Sequence, residues 1–273
     1  MSRRTTARPL GLLATVAAIT FCLGPFAWQV LTSLRPEAEL GSRGWPTTLT
    51  LASWEAVLVG RPFGRALGNS LIVASATTAI AIGVGGAAAF ALAKLPLRAR
   101  RPILALALAT SMFPPIATVS PLFLVIRALG LRDRLPGLVL PSTGFALPLA
   151  IWILTDFFAG VPHDLYRAAR VDGCSPWQVL TRVFAPVAAP AVATTAILVF
   201  VQAWNELLFA LTFTSSPEQR TVPVAIALFA AEHEEPWGEI AAASVIATLP
   251  LLVVTLLFHR RVVAGLTAGA VKG

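Results

Sequence analysis

The sequence predicts an all-α, polytopic membrane protein with six transmembrane helices, and three observations carry that prediction. Of its 273 residues 56% are hydrophobic and only 12% charged, about half the roughly 25% charged share of an average soluble domain. Six apolar runs reach or approach the ~20 residues that a helix needs to cross a ~30 Å hydrocarbon layer. Lys and Arg concentrate in alternate links between those runs, the asymmetry that sets membrane orientation.

The first run extends from Pro9 to Leu34 between Arg8 and Arg35, and the second from Ala66 to Ala93 between Arg65 and Lys94. The others lie between Arg101 and Arg127, Arg134 and Asp156, Arg182 and Glu206, and Glu239 and His259, each fitting a single span. The basic start followed by an apolar run resembles a secretory signal. The run exceeds the 7–15 residues of such an apolar region, however, and no A-x-A-like site closes it. Phe21 directly before Cys22 also argues against lipoprotein processing, so this segment is read as the first span.

With the amino terminus inside, the inner segments hold Arg3, Arg4 and Arg8, then Lys94, Arg98, Arg100 and Arg101, then Arg167, Arg170 and Arg182, then Arg260, Arg261 and Lys272. They contain only three acids, Asp156, Asp164 and Asp172. Both termini are therefore expected in the cytoplasm. The overall charge of +8 expresses topology, and no basic stretch is interleaved with aromatics as a nucleic-acid groove requires. Cys22, within a span, and Cys174, in an inner loop, sit too differently to form a disulfide framework.

Between Arg35 and Arg65, Leu51, Trp54, Val57 and Leu58 recur at helical spacing, which predicts a short helix along the membrane surface. The inner link KLPLRARR is short, so the second and third spans should be antiparallel neighbours. Pro114, Pro115, Pro121, Pro141 and Pro148 interrupt the third and fourth spans. Such breaks serve either a substrate path or a static, packed kink. Gly83, Gly85 and Gly86 allow close helix approach. Neither a repeat nor a low-complexity linker divides the chain, which reads as one transmembrane domain over 1–273.

The longest inner segment, 156–186, reads as two short helices. Asp164 is placed to cap LYRAARV, and Gly173 stops it by offering a positive φ. Ser175 caps a second helix, PWQVLTRVF, with Pro176 at its first position and Pro186 at its end. Ala168 and Ala169 leave little bulk, which would let the backbone sit deep in a partner's groove. An amphipathic loop resting on inner headgroups fits the composition equally well.

The spacing of this loop resembles a cytoplasmic motif of the membrane subunits of ATP-binding-cassette importers. That motif begins Glu-Ala-Ala, continues three residues on with Asp-Gly, and reaches a Pro thirteen residues after the Gly. Ala168, Ala169, Asp172, Gly173 and Pro186 stand in that register, with Arg167 where the motif has Glu. The end of the chain, RRVVAGLTAGAVKG (with Gly265, Leu266, Thr267, Gly269 and Lys272), is similar to the tail of the smaller permease of maltose-type carbohydrate importers. WNELLFALTF, from Trp204 to Phe213, is a third similar stretch.

The resemblance implies a type I importer permease fold in a bacterial cytoplasmic membrane, with 156–186 as the coupling loop and 259–273 as a cytoplasmic tail. It further implies a second homologous permease, an ATPase dimer that receives loop and tail, and an extracytoplasmic substrate-binding protein. The substrate it implies is a sugar, nearest to disaccharides such as trehalose or maltose. With Arg167 in place of Glu, any ion pair the family makes there is absent or rewired. No G-x-x-x-x-G-K-[ST] phosphate loop occurs in the chain, so ATP and magnesium are expected on the partner ATPase, and this chain is not expected to be an enzyme.

Glu206, with Trp204 and Asn205, has two readings: lining of a sugar path or docking of the binding protein, or an interfacial anchor. Asn69 and Ser70 open the second span as path ligands or as caps. The acidic stretch AAEHEEPWGEI is a docking surface or a solvated charge run. His233, His163 and His259 lack a second His or Cys at ligand spacing, so no metal site is expected. An ion-coupled secondary transporter would need ionisable groups at mid-membrane, and none falls between the span ends.

Overall fold

The computed structural model describes residues 7–41, 45–229 and 236–270, and the regular structure among them is helical. In chain order come α1 (Ala7–Ser33), α2 (Ala52–Glu55) continued by a π-helical turn over Ala56–Gly60, α3 (Phe63–Lys94), α4 (Arg100–Ser111), α5 (Pro115–Ala128) and α6 (Pro136–Gly160). There follow α7 (His163–Val171), α8 (Pro176–Gln178), α9 (Ala185–Val187), α10 (Ala189–Trp204), α11 (Leu208–Phe213), α12 (Val222–Phe229) and α13 (Trp237–Ala270).

Among the described residues four helical stretches are long and apolar enough to cross a bilayer: Gly11–Ser33, Phe63–Lys94, Pro136–Gly160 and Trp237–Phe258. Two bent pairs, α4 with α5 at 94° and Pro176–Val187 with α10 at 85°, are apolar enough to join them, which brings the number among the described residues to six where each pair is counted as one crossing. The interruption read from Pro114 and Pro115 falls between α4 and α5, while the bend within the fifth run corrects the expectation of an unbroken span there. In the first pair, Pro114 is extended (φ −66°, ψ 124°) and Pro115 opens α5 at its first turn. There the missing N–H costs nothing and the fixed φ is already helical.

The second break falls two residues beyond Pro186. Pro186 does not end its helix: a π-helical stretch, Val179–Phe184, precedes it, and α9 runs through it to Val187. The wider π turn accommodates a ring that would strike the carbonyl of a regular α turn. The chain turns at Ala188, at φ −85° and ψ 4°.

The described residues group into two compact units, Met1–Gly64 with Ala225–Pro250, and Arg65–Val224 with Leu251–Gly273. In the first, Arg61 donates to Glu239 at 2.8 Å and lies 4.3 Å over the ring of Phe229. The Trp54 indole N–H donates to Ser33 Oγ at 3.1 Å. Gly238 passes so near α2 that a Cβ there would stand 2.4 Å from Ser53 Oγ. Along α1 none of the apolar window is buried, with Phe21 84% exposed, a surface suited to lipid or another helix rather than water.

The second unit packs α10 and α4 against α6. Gly85 and Gly86 do allow α3 close to α6: a Cβ on Gly85 would stand 3.1 Å from Ala150 Cβ, and one on Gly86 3.7 Å from Leu154. Gly83 takes no part, with open space around it.

Candidate functional site

Between α6 and α10 the chain leaves the helical bundle as a knuckle of short helices, and its shape follows from local chemistry. α7 ends in a Schellman motif: the N–H of Cys174 reaches the carbonyl of Ala169 at 3.0 Å and that of Gly173 reaches Arg170 at 3.2 Å. This closure requires a left-handed residue after the helix, and Gly173 supplies it at φ +83°. Arg170 locks the turn by donating to the carbonyl of Cys174 at 2.7 Å. α8 starts with a complete capping box, in which Ser175 Oγ accepts from the Gln178 N–H and Gln178 Oε1 accepts from the Ser175 N–H. Pro176 occupies the first helical turn.

Asp164 does not cap α7. Pro162 holds the cap position, and Asp164 sits in the first turn, where a negative charge complements the helix dipole. Its carboxylate accepts from Arg167 at 3.5 Å, with both side chains largely exposed. An exposed pair of this kind contributes little, so the guanidinium remains available to another surface. Ala168 and Ala169 have different surroundings. Ala168 is exposed beside Arg167, Val171 and Asp172, whereas Ala169 is buried among Phe90, Phe158, Val179 and Phe184. Trp177 and Val171 stand 64% and 87% exposed, so the outward side of the knuckle is apolar with charge at its edge. Pro186 is exposed near the return to α10.

The inward side is held by an aromatic cluster. The ring of Phe90 lies 5.2 Å from Phe184, 6.1 Å from Tyr166 and 6.2 Å from Phe158, the first and last edge-on, an arrangement that rings favour over face-to-face stacking. Lys94, only 5% exposed, donates from Nζ to the carbonyl of Val161 at 2.5 Å. Lys94 had no place among the sequence candidates, since its partner is 67 residues away and nothing local marks it.

At the other ends of these helices the residues proposed from sequence are mostly engaged with backbone. Asn69 donates from Nδ2 to the carbonyls of Glu218 at 2.8 Å and Arg220 at 2.9 Å, and Ser70 Oγ accepts from the Val222 N–H at 2.8 Å. Glu206 accepts from the N–H groups of Phe209 and Ala210, at 2.7 and 3.0 Å, and so closes the first turn of α11. Trp204 is buried and stacks on Phe200 with centroids 5.8 Å apart. Asn205 is exposed and donates to the carbonyl of Val201. These five do not converge on one pocket.

The 259–273 segment is helical through Ala270, so Gly265, Leu266, Thr267 and Gly269 lie on the continuation of α13. Lys272 lies outside the described residues, as does 230–235 with His233 and most of the acidic stretch. His163 rests 5.4 Å from the ring of Tyr166. Among the described residues no three His, Cys, Asp or Glu side chains come together as metal ligands would.

The model of the binding-protein-dependent transport system inner membrane component family matches residues 81–267. The chain is 45% identical to the trehalose transport system permease protein SugB of Mycobacterium tuberculosis, over 93% of this chain and 94% of the relative. It is 40% identical to the trehalose/maltose transport system permease protein MalG of Thermococcus litoralis, over the whole of both. Among solved structures, a chain of a bacterial ABC transporter involved in the import of the acidic polysaccharide alginate superposes with a TM-score of 0.77 at 21% identity, over 95% of this chain and 99% of that one. The two share a fold. The family match takes in the knuckle, both bent crossings and most of the last helix, and the chain belongs to the family of binding-protein-dependent transport system inner membrane components.

Proposed function

We propose that this chain is the permease subunit of an ATP-binding-cassette sugar importer, forming half of the translocation path with a second, homologous permease. A disaccharide such as trehalose or maltose is the proposed substrate, which the names of the two relatives at 40% and 45% identity support. The observation that carries the proposal is the projecting knuckle, with Ala168, Asp172 and Gly173 outward on a turn held rigid by its own hydrogen bonds. It is the part of the chain best suited to sit in a groove of a cytoplasmic ATPase dimer.

In this reading ATP and magnesium bind the ATPase, whose closure moves the knuckle and rocks the spans between inward-open and outward-open. Arg167, Ala168, Asp172 and Gly173 form the docking edge, and the tail from Gly265 through Lys272 meets the same ATPase dimer. Both termini are cytoplasmic. On the outer face a substrate-loaded binding protein docks and releases sugar. Asn205 is the substrate-facing member of its cluster, while Asn69, Ser70, Trp204 and Glu206 frame the entrance.

The test is co-purification with the ATPase and the second permease, then ATP hydrolysis in vesicles with binding protein and a panel of disaccharides. Hydrolysis should rise with trehalose or maltose and sugar should accumulate inside. A chain that purifies without an ATPase, or a complex whose hydrolysis ignores every sugar, would overturn the proposal.

A further inference from the structure

We infer that Lys94 is a positioning residue for transport, joining the inner end of α3 to the knuckle so that the two move as one body. The inference rests on the knuckle being the ATPase-docking element.

Lys94 is the last residue of α3, a place where a lysine ordinarily extends its amine to the headgroup region. Here it turns inward. It is 5% exposed, its Nζ donates to the Val161 carbonyl at 2.5 Å, and the ammonium lies 5.4 Å from the centre of the Phe184 ring. Among the described residues no carboxylate is in ion-pair contact with it.

A buried ammonium without a counter-ion costs free energy that one hydrogen bond and one ring face only partly offset. The location of those two partners explains why the arrangement is useful. Val161 follows the last residue of α6 and immediately precedes Pro162, the cap of α7, so its carbonyl marks the entry to the knuckle. Phe184 ends the π-helical stretch and marks the exit. One side chain from α3 therefore grips both ends of the projecting segment.

Phe90, one helical turn before Lys94, touches the same segment through Tyr166 and Phe184. Ala89, with Ala93 packed beside it, joins the same cluster from α3, but as small apolar contacts with no hydrogen bond to the knuckle. Through all of these contacts a push on the knuckle's outer surface reaches α3, which packs along α6 through Gly85 and Gly86.

The inference is tested on the full complex in phosphatidylethanolamine–phosphatidylglycerol vesicles, by measuring sugar taken up and phosphate released in the same sample. Lys94→Met keeps the length of the side chain and removes the donor. It should retain bound ATPase yet move about tenfold less sugar per ATP, a loss within the usual range of coupling between sites. Lys94→Arg, able to reach the same carbonyl and ring, should recover most of it. An unchanged sugar-to-ATP ratio in Lys94→Met would overturn the inference.

A second measurement does not depend on the variant folding. Spin labels at Leu97 and Leu165, both exposed, should keep the same separation in the otherwise native complex with and without trapped ATP. A shift larger than the width of the distribution would overturn the rigid connection even if uptake is normal. Absence of any ATP-driven uptake by the native complex would instead overturn the underlying function, and this inference with it.

Discussion

The carboxylate of Asp133 accepts the backbone N–H of Ser215 at 2.8 Å, tying the turn between α5 and α6 to the segment that follows α11. The same oxygen accepts from Ser216 at 3.1 Å, and the Asp133 N–H donates to the carbonyl of Phe213 at 2.9 Å. These bonds, the one from Ser215 foremost, hold the Asp133 carboxyl below its ordinary pKa against a smaller opposing effect of burial. A depressed pKa means that the clasp contributes fully above the unfolded value and is lost as pH falls through the folded one. Protection of the Ser215 amide from hydrogen exchange should therefore persist through pH ~4, where free carboxylates titrate, and fail only below. Asp133 also holds φ +56°, so Asp133→Asn, which tolerates that conformation, should be mild. Asp133→Ala should cost roughly 1 kcal/mol, read as about fivefold faster exchange at Ser215. Equal exchange in the two variants would remove the clasp from the account.

Gly85 and Gly83 lie two residues apart on α3 and should respond differently to the same change. Gly85→Leu drives a side chain into Ala150, Leu147 and Ile151 on α6 and should cost about 1–3 kcal/mol, as overpacking does. Gly83→Leu projects into open space and should leave thermal stability in detergent unchanged. Similar melting shifts for both would contradict the α3–α6 seam.

At Gly173 space is not the constraint, since an added Cβ would meet nothing within 4 Å. The left-handed backbone is: a β-branched residue there should cost about 1–2 kcal/mol locally. Gly173→Val is expected to insert normally, unwind the end of α7 and uncouple ATP hydrolysis from uptake. Gly173→Asn should retain most uptake. Normal sugar uptake by the valine variant would count heavily against the knuckle as a lever.

Arg167 separates surface chemistry from stability. Arg167→Glu breaks an exposed pair with Asp164 and should change the melting temperature little, the pair being worth less than about 1 kcal/mol. If the outer edge of the knuckle meets the ATPase, the reversal should nonetheless weaken ATPase retention and uptake. Salt titration of ATPase retention should show a different slope for the variant, because exposed charge contacts are screened. Wild-type retention at every salt concentration would place Arg167 outside the contact.

Much of the knuckle was legible because its determinants are local. A Gly with positive φ, a capping Ser and a Pro in the first helical turn act within a few residues, and each stands where the pattern put it, with Gln178 completing a capping box that the pattern did not include. Pro186 and Asp164 misled because competing partners decided them. The π-helical stretch absorbs the proline ring, and Pro162 takes the cap position one residue before α7 begins. Glu206 was recognisable as a polar group at a helix end, whereas Asn69 and Ser70, read as opening the second span, lie inside α3, which already begins at Phe63; the partners of all three, at Phe209, Ala210, Glu218, Arg220 and Val222, depend on how distant segments fold back.

Six crossings, their charge asymmetry and the register of the inner loop follow from properties summed along the chain: apolar run length, basic residues near run ends, and spacing over a few turns. Folding decided the bend at Ala188, the exposure of Ala168 beside a buried Ala169, and the burial of Lys94 against Val161 and Phe184. Each of those depends on surfaces brought together from distant positions, where packing and the need to satisfy buried polar groups outweigh the preference of any single residue.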